Sequence, residues 1–307
     1  MKTLLLLGLL LSSFPTYGGI LKKRLSLASS ERPATLILPR QYQADKPVPL
    51  VLGLHGLGSS PIVVDQLFGL SRNQNKLGYA LILAQALPRP SDNKAAWNAT
   101  PECCREEAPV DDSGYLQGLV KEAISKASID PDKIYIAGHS NGGFMAYRLA
   151  CDTNGMFKGI VSLAGAGFGD PSLCKTETSI NVLQIHGKDD SVVYYDARGK
   201  YYPPAETLVE RWADRNDCQD FSYEEKSQNL LFLTIEPVYD DNDQLRLDGN
   251  LFKFSREPET DSLTYSRCRD ESRVALWRVN GADHAPLFFG RNVIGKSLDF
   301  LGLEGSK

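Results

Sequence analysis

The chain has 307 residues, 42% of them hydrophobic and 23% charged, and its 34 Lys and Arg against 38 Asp and Glu give a formal charge of −4. These proportions belong to a globular chain long enough to bury a sizeable core. They exclude the basic stripe that a nucleic-acid partner requires.

At the N-terminus, Met1 and Lys2 precede the apolar run Leu4 to Leu11, followed by Ser12, Ser13 and small residues up to Gly18. A charged start, a short apolar run and a small-residue end read as a signal peptide over residues 1–18. The run is too short to span a bilayer. No cysteine follows it to carry a lipid, so no membrane anchor is expected and the location is secreted or periplasmic. Residues 19–307 read as one domain.

Short apolar runs then alternate with helical patterns. Val48–Leu54, Tyr79–Ala84, Lys133–Ala137, Gly159–Leu163, Asn181–Ile185 and Val274–Val279 are rich in Val, Ile and Leu and end at Gly or polar residues. They read as strands buried on both faces. A helix is predicted over 112–128, with Asp112 as its capping residue and Leu116, Leu119, Val120 and Ile124 on one face. Further helices are predicted over 141–151, 205–214 and 292–301. The alternation implies an α/β fold, a mostly parallel central sheet with helices on both faces.

The stretch from about 230 to 264 departs from this pattern. It contains "EPVYDDNDQLRLDGN" and "REPETD", and reads as an irregular acidic insertion or an extra hairpin. Asp241, Asp243 and Asp248 suggest calcium, but Arg246 stands where a calcium loop needs glycine, so a solvated loop is expected. The six cysteines lack the short paired spacing of a zinc site, and no metal is expected. In an exported chain they read as disulfides. Cys218 is expected to pair with Cys268, closing a long loop for about 4 kcal/mol in the chain-entropy model. The neighbours Cys103 and Cys104 are expected to reach separate partners, Cys151 and Cys174.

Chemistry concentrates around "IYIAGHSNGGFMAYRLAC", Ile134 to Cys151, where Gly138, Ser140 and Gly142 form a G-x-S-x-G pattern between a predicted strand and a predicted helix. Ser140 is either a small residue in a tight turn or a nucleophile raised on an elbow, where the two glycines make room for the backbone. A nucleophile requires an acid and then a histidine further along. Four histidines exist. His139 is aimed away from Ser140 by the turn, and His55 and His186, each before a glycine at a strand end, read as packed structural residues. His284, in "NGADHAPLF" beyond the last strand, is the candidate base. "VLQIHGKDDSVV" supplies Asp190 as the favoured acid, with Asp189 as the alternative, while Asp283 is too close along the chain to orient its neighbour. "VLGLHGLGSS" ends an early strand in a glycine-rich turn, and the N–H groups of Leu57 and Asn141 are the candidate oxyanion donors.

"PLVLGLHGLGSS", "WNATPECC" followed by "DDSGYL", the serine stretch with the preceding "IDPDK", "VLQIHGKDDSVV" and "GADHAPL" together resemble the secreted polyhydroxybutyrate depolymerase and feruloyl esterase family of α/β-hydrolases, from about Ala34 to Leu301. The resemblance implies an α/β-hydrolase fold, a Ser140, Asp190 and His284 triad, oxyanion donors at Leu57 and Asn141, and a Cys218–Cys268 pair. It implies a serine esterase acting through an acyl-enzyme without a cofactor, on feruloyl or acetyl esters of plant polysaccharide or on hydroxyalkanoate oligomers. An acyltransferase using the same acyl-enzyme, or a non-catalytic binder on the same fold, are the alternatives. Two departures from the family pattern stand out. Ser191 replaces the usual proline after the acid, and Ala285 replaces the aromatic residue that often follows the histidine.

Overall fold

The computed structural model describes residues 23–27, 32–104, 110–230, 232–235, 252–254, 259–288 and 293–303. The predicted signal peptide, Asp241, Asp243 and Asp248 lie outside the described residues. The chain opens with β1 (Arg24–Leu27), β2 (Ala34–Ile37) and β3 (Val48–Leu54), then α1 (Pro61–Phe68), α2 (Leu70–Leu77) and β4 (Ala80–Ala84). Its middle runs through α3 (Asp112–Lys126), β5 (Ile129–His139), α4 (Asn141–Asp152), β6 (Gly159–Leu163), β7 (Asn181–Gly187) and α5 (Ala205–Arg215). Then come β8 (Asp220–Gln228), β9 (Phe232–Ile235), β10 (Phe252–Phe254), β11 (Thr260–Ser266), β12 (Val274–Val279), β13 (Leu287–Phe288) and α6 (Val293–Phe300).

Ten strands form one sheet in the order β1-β2-β4-β3-β5-β6-β7-β12-β11-β8. The strands from β4 to β12 in that order pair in parallel, and they are the six strands legible in the sequence. Side-chain alternation explains why they are apolar throughout. Leu50, Leu52 and Leu54 of β3 enter a core with α3, α4 and α5, while Val51 enters a second core with α1, α2 and α6. Both faces are covered, so neither face of a central strand reaches water.

Antiparallel strands extend both edges, β1 and β2 on one side and β11 and β8 on the other. The exposed side chains along most of β8 show why such an edge carries no apolar signature. Within the insertion, β9 and β10 pair antiparallel, and β9 also pairs with β13, giving a separate three-stranded sheet.

Two expectations need correction. Asp111, not Asp112, caps α3, accepting the Gly114 N–H at 2.7 Å. Asp112 instead turns inward, binding the Asn98 N–H at 2.6 Å and Arg32. The second concerns the first four cysteines. Cys103 bonds its neighbour Cys104, and Cys151 bonds Cys174. The reason is distance. Cys103 lies against the Asn141 side chain at the start of α4, with Sγ 3.5 Å from Nδ2. Cys151 follows ten residues later on the same helix, about 15 Å along its axis, beyond the reach of a disulfide. Cys218 pairs with Cys268.

Candidate active site

β5 delivers Ser140 to the C-terminal edge of the parallel strands, where α/β sheets hold their ligands. Its backbone takes φ 53° and ψ −121°, a conformation that non-glycine residues avoid. The turn is held by the Ser140 N–H donating to Leu163 O at 2.8 Å. A Cβ on Gly138 would collide with the Gly142 carbonyl, and one on Gly142 would collide with Leu54 O. Both glycines are therefore steric necessities. Serine at a helix start usually caps the helix with its own oxygen. Ser140 makes no such bond, because the strained turn points Oγ elsewhere.

It points at His284. Nε2 of His284 lies 2.9 Å from Ser140 Oγ, and Nδ1 lies 2.9 Å from Asp190 Oδ2 and 3.1 Å from Oδ1. Asp190 is buried and also accepts the N–H groups of Val192 and Val193, at 2.9 and 2.8 Å. Burial is the strongest influence on this carboxyl and opposes its ionisation. Hydrogen bonds from His186 and His284, with the Val192 N–H, outweigh burial and hold it well below the usual carboxylate range. Asp189, the alternative acid, faces solvent.

The remaining histidines and acids support this arrangement. His186 is buried with Nε2 2.7 Å from Val193 O and 3.2 Å from Asp190 Oδ2. Its tautomer follows from its partners. Gln184 Nε2 donates to the Gly165 carbonyl at 2.8 Å and stands 3.0 Å from His186 Nδ1, while Gln184 Oε1 accepts from Tyr147 at 3.0 Å. Nδ1 must accept, so the proton sits on Nε2 and faces Val193 and Asp190. His139 Nε2 donates to the His284 carbonyl at 3.0 Å, steadying the loop that carries that ring. Burial, and next the charge of His284, push the His139 pKa down to about 4. His55 is buried, its Nε2 accepting from the Ala86 N–H at 3.1 Å, and burial lowers its pKa.

Asp283 ties the acid loop to the histidine loop. Its Oδ1 accepts from the Ser191 N–H at 2.8 Å, from Ser191 Oγ at 2.9 Å and from the His284 N–H at 2.7 Å. Proline at position 191 would lack the N–H, so this clamp depends on the departure noted in the sequence. Sequence reasoning missed it, because only the fold brings 191 and 283 together.

Among the described residues, neither the Leu57 N–H nor the Asn141 N–H donates a hydrogen bond. Asn141 opens α4, where N–H groups point outward with the positive end of the helix dipole. Its side chain grips the Trp97 backbone, accepting from N at 2.7 Å and donating to O at 3.0 Å. Trp97 Nε1 in turn donates to His55 O at 3.0 Å, fixing the turn that holds Leu57.

A serine oxygen, an imidazole and a buried carboxylate in line on a parallel sheet make up the architecture of an α/β-hydrolase. Residues 41–233 match the family model described as phospholipase/carboxylesterase, and the chain belongs to that family. It is similar to a putative esterase, NocK, of Nocardia uniformis subsp. tsuyamanensis, 32% identical over 160 residues, covering 52% of this chain and 44% of that one. It is also similar to feruloyl esterase B of Piromyces equi, 25% identical over 261 residues, covering 80% of this chain and 41% of that one. The chain thus spans less than half the length of these two relatives. An acetyl xylan esterase from Aspergillus awamori has the same fold, with a TM-score of 0.63 at 12% identity, covering 92% of this chain and all of that one.

Proposed function

We propose that the protein is a secreted serine esterase that hydrolyses carboxylic esters through an acyl-enzyme, with Ser140 as nucleophile, His284 as general base and Asp190 as the residue that orients it. Ser140 Oγ attacks the ester carbonyl as its proton passes to His284 Nε2. The carboxylate of Asp190 stabilises the imidazolium that results. The Leu57 and Asn141 N–H groups receive the oxyanion, each lowering the barrier by about 3 kcal/mol. His284 then gives its proton to the departing alcohol, and water, activated by the same ring, releases the acid. The relatives named as feruloyl and acetylxylan esterases support feruloyl or acetyl esters of plant polysaccharide as substrates. The three disulfides support export to an oxidising compartment.

The observation that carries this reading is the 2.9 Å approach of His284 Nε2 to a serine oxygen held on a strained elbow. Its test is labelling with a fluorophosphonate followed by mapping of the adduct. Wild type is expected to be modified at Ser140 and to cleave p-nitrophenyl acetate, and Ser140→Ala to do neither. An adduct on another residue, or full turnover by Ser140→Ala, would overturn the assignment.

A further inference from the structure

The proposed acid and base sit on loops that leave neighbouring strands, so the joins between those loops decide how Asp190 meets His284. Ahead of the acid the joins are backbone. The Lys188 N–H donates to Val279 O at 3.0 Å, and the Asp189 N–H to Ala282 O at 3.1 Å. Beyond the acid the join changes in kind. Among the described residues, the hydrogen bonds between residues 191–195 and residues 280–288 all end on one side chain, Asp283. Its Oδ1 takes the Ser191 N–H, the Ser191 hydroxyl and the His284 N–H together, at 2.8, 2.9 and 2.7 Å.

Each end of this clamp adjoins a triad member. Ser191 stands between Asp190 and Val192, and the N–H groups of Val192 and Val193 are the ones that hold Asp190 Oδ1. A shift of Ser191 would therefore move the carboxylate together with its donors. At the other end the backbone of His284 is held twice, by Asp283 at its N–H and by His139 Nε2 at its carbonyl. Asp283 is too close along the chain to orient the imidazole directly, yet it fixes the backbone from which the ring swings. Asp283 and Ser191 are both exposed, so the clamp adds little to the stability of the fold.

We propose that Asp283 is a positioning residue for the esterase. Through Ser191 it holds the acid, and through the His284 N–H it holds the base, at the separation that lets the serine proton leave. This rests on the esterase reading above. A proline at position 191 would stiffen one loop by itself, whereas here one side chain bridges two.

Variants separate the clamp from charge and from folding. Asp283→Ala should lower kcat for p-nitrophenyl acetate about 10- to 100-fold, the cost of a displacement near 1 Å between reacting groups, with KM within about twofold. Its thermal midpoint should stay close to that of wild type. Asp283→Asn keeps an Oδ1 acceptor and removes the charge, so it should recover most of the lost kcat. Ser191→Ala should cost less, and its effect should vanish once Asp283→Ala is present. NMR reads the same positioning without turnover: the low-field Nδ1 proton of His284, assigned by its absence in His284→Gln, should broaden or vanish in Asp283→Ala and return in Asp283→Asn. Wild-type kcat or an unchanged proton signal in Asp283→Ala would overturn the proposal. So would an Asn variant as slow as the Ala variant, which points to charge, or global unfolding of Asp283→Ala, which points to the fold. Failure of the esterase reading would show separately, as absent turnover by wild type with the proton changes intact.

Discussion

His139 should make the fold, and with it the loop carrying His284, sensitive to acid. Its pKa is about 4 in the folded protein against 6.5 for a free side chain, because burial and the nearby His284 both oppose a charge there. Between those values the unfolded chain holds a proton that the folded one refuses, so stability is complete above pH 6.5 and is lost as pH falls towards 4. At about 1.4 kcal/mol per pH unit the loss reaches roughly 2.5 kcal/mol by pH 4.5. His139→Gln keeps an N–H to offer the His284 carbonyl and removes the titration. Urea unfolding of both proteins at pH 7 and pH 4.5 isolates the effect. The variant should be the less stable protein at pH 7, and the gap should close by about 2.5 kcal/mol or reverse at pH 4.5. A gap of the same size at both pH values would refute the reasoning. Asp190 would not mask the result, since its lowered pKa keeps it ionised across this range and its contribution is lost only in stronger acid.

Three further outcomes are expected. Gly142→Ala should abolish esterase turnover and cost more than about 2 kcal/mol, because its methyl group meets the Leu54 carbonyl and the backbone there cannot yield; circular dichroism and thermal melts with activity alongside would check it. Asp190→Asn should lower kcat on the order of 10⁴-fold with little change in KM, since an amide favours the wrong tautomer of His284, a split that steady-state kinetics resolves. His186→Phe keeps the ring volume but takes one hydrogen-bond partner from the buried Gln184 amide and one from the Asp190 carboxylate, so denaturant unfolding should show a loss of about 2 kcal/mol and the acid limb of the rate profile should move.

The central sheet was legible because burial on both faces leaves a mark in one dimension. Six short runs of Val, Ile and Leu need no knowledge of their neighbours to be recognised, and the glycines around Ser140 are demanded by collisions within a single turn. The edge strands left no such mark, since β8 exposes most of its side chains to water. Helices α1 and α2 were also missed. The second is polar over Arg72 to Lys76, and only the left-handed Gly69 between them, at φ 70°, marks the break.

Local chemistry was thus decided by the sequence itself: a strand ending in a turn that admits only glycine on either side of Ser140, two acids, Asp189 and Asp190, just beyond an apolar run, and a histidine set beyond the last strand. Tertiary structure alone decided the meetings. Residues 140, 190 and 284 converge because β5, β7 and β12 lie in one parallel sheet, ending at the same edge. The Ser191–Asp283 clamp, the His186 proton and the pairing of Cys103 with its own neighbour depend on distances through space, which spacing along the chain does not encode.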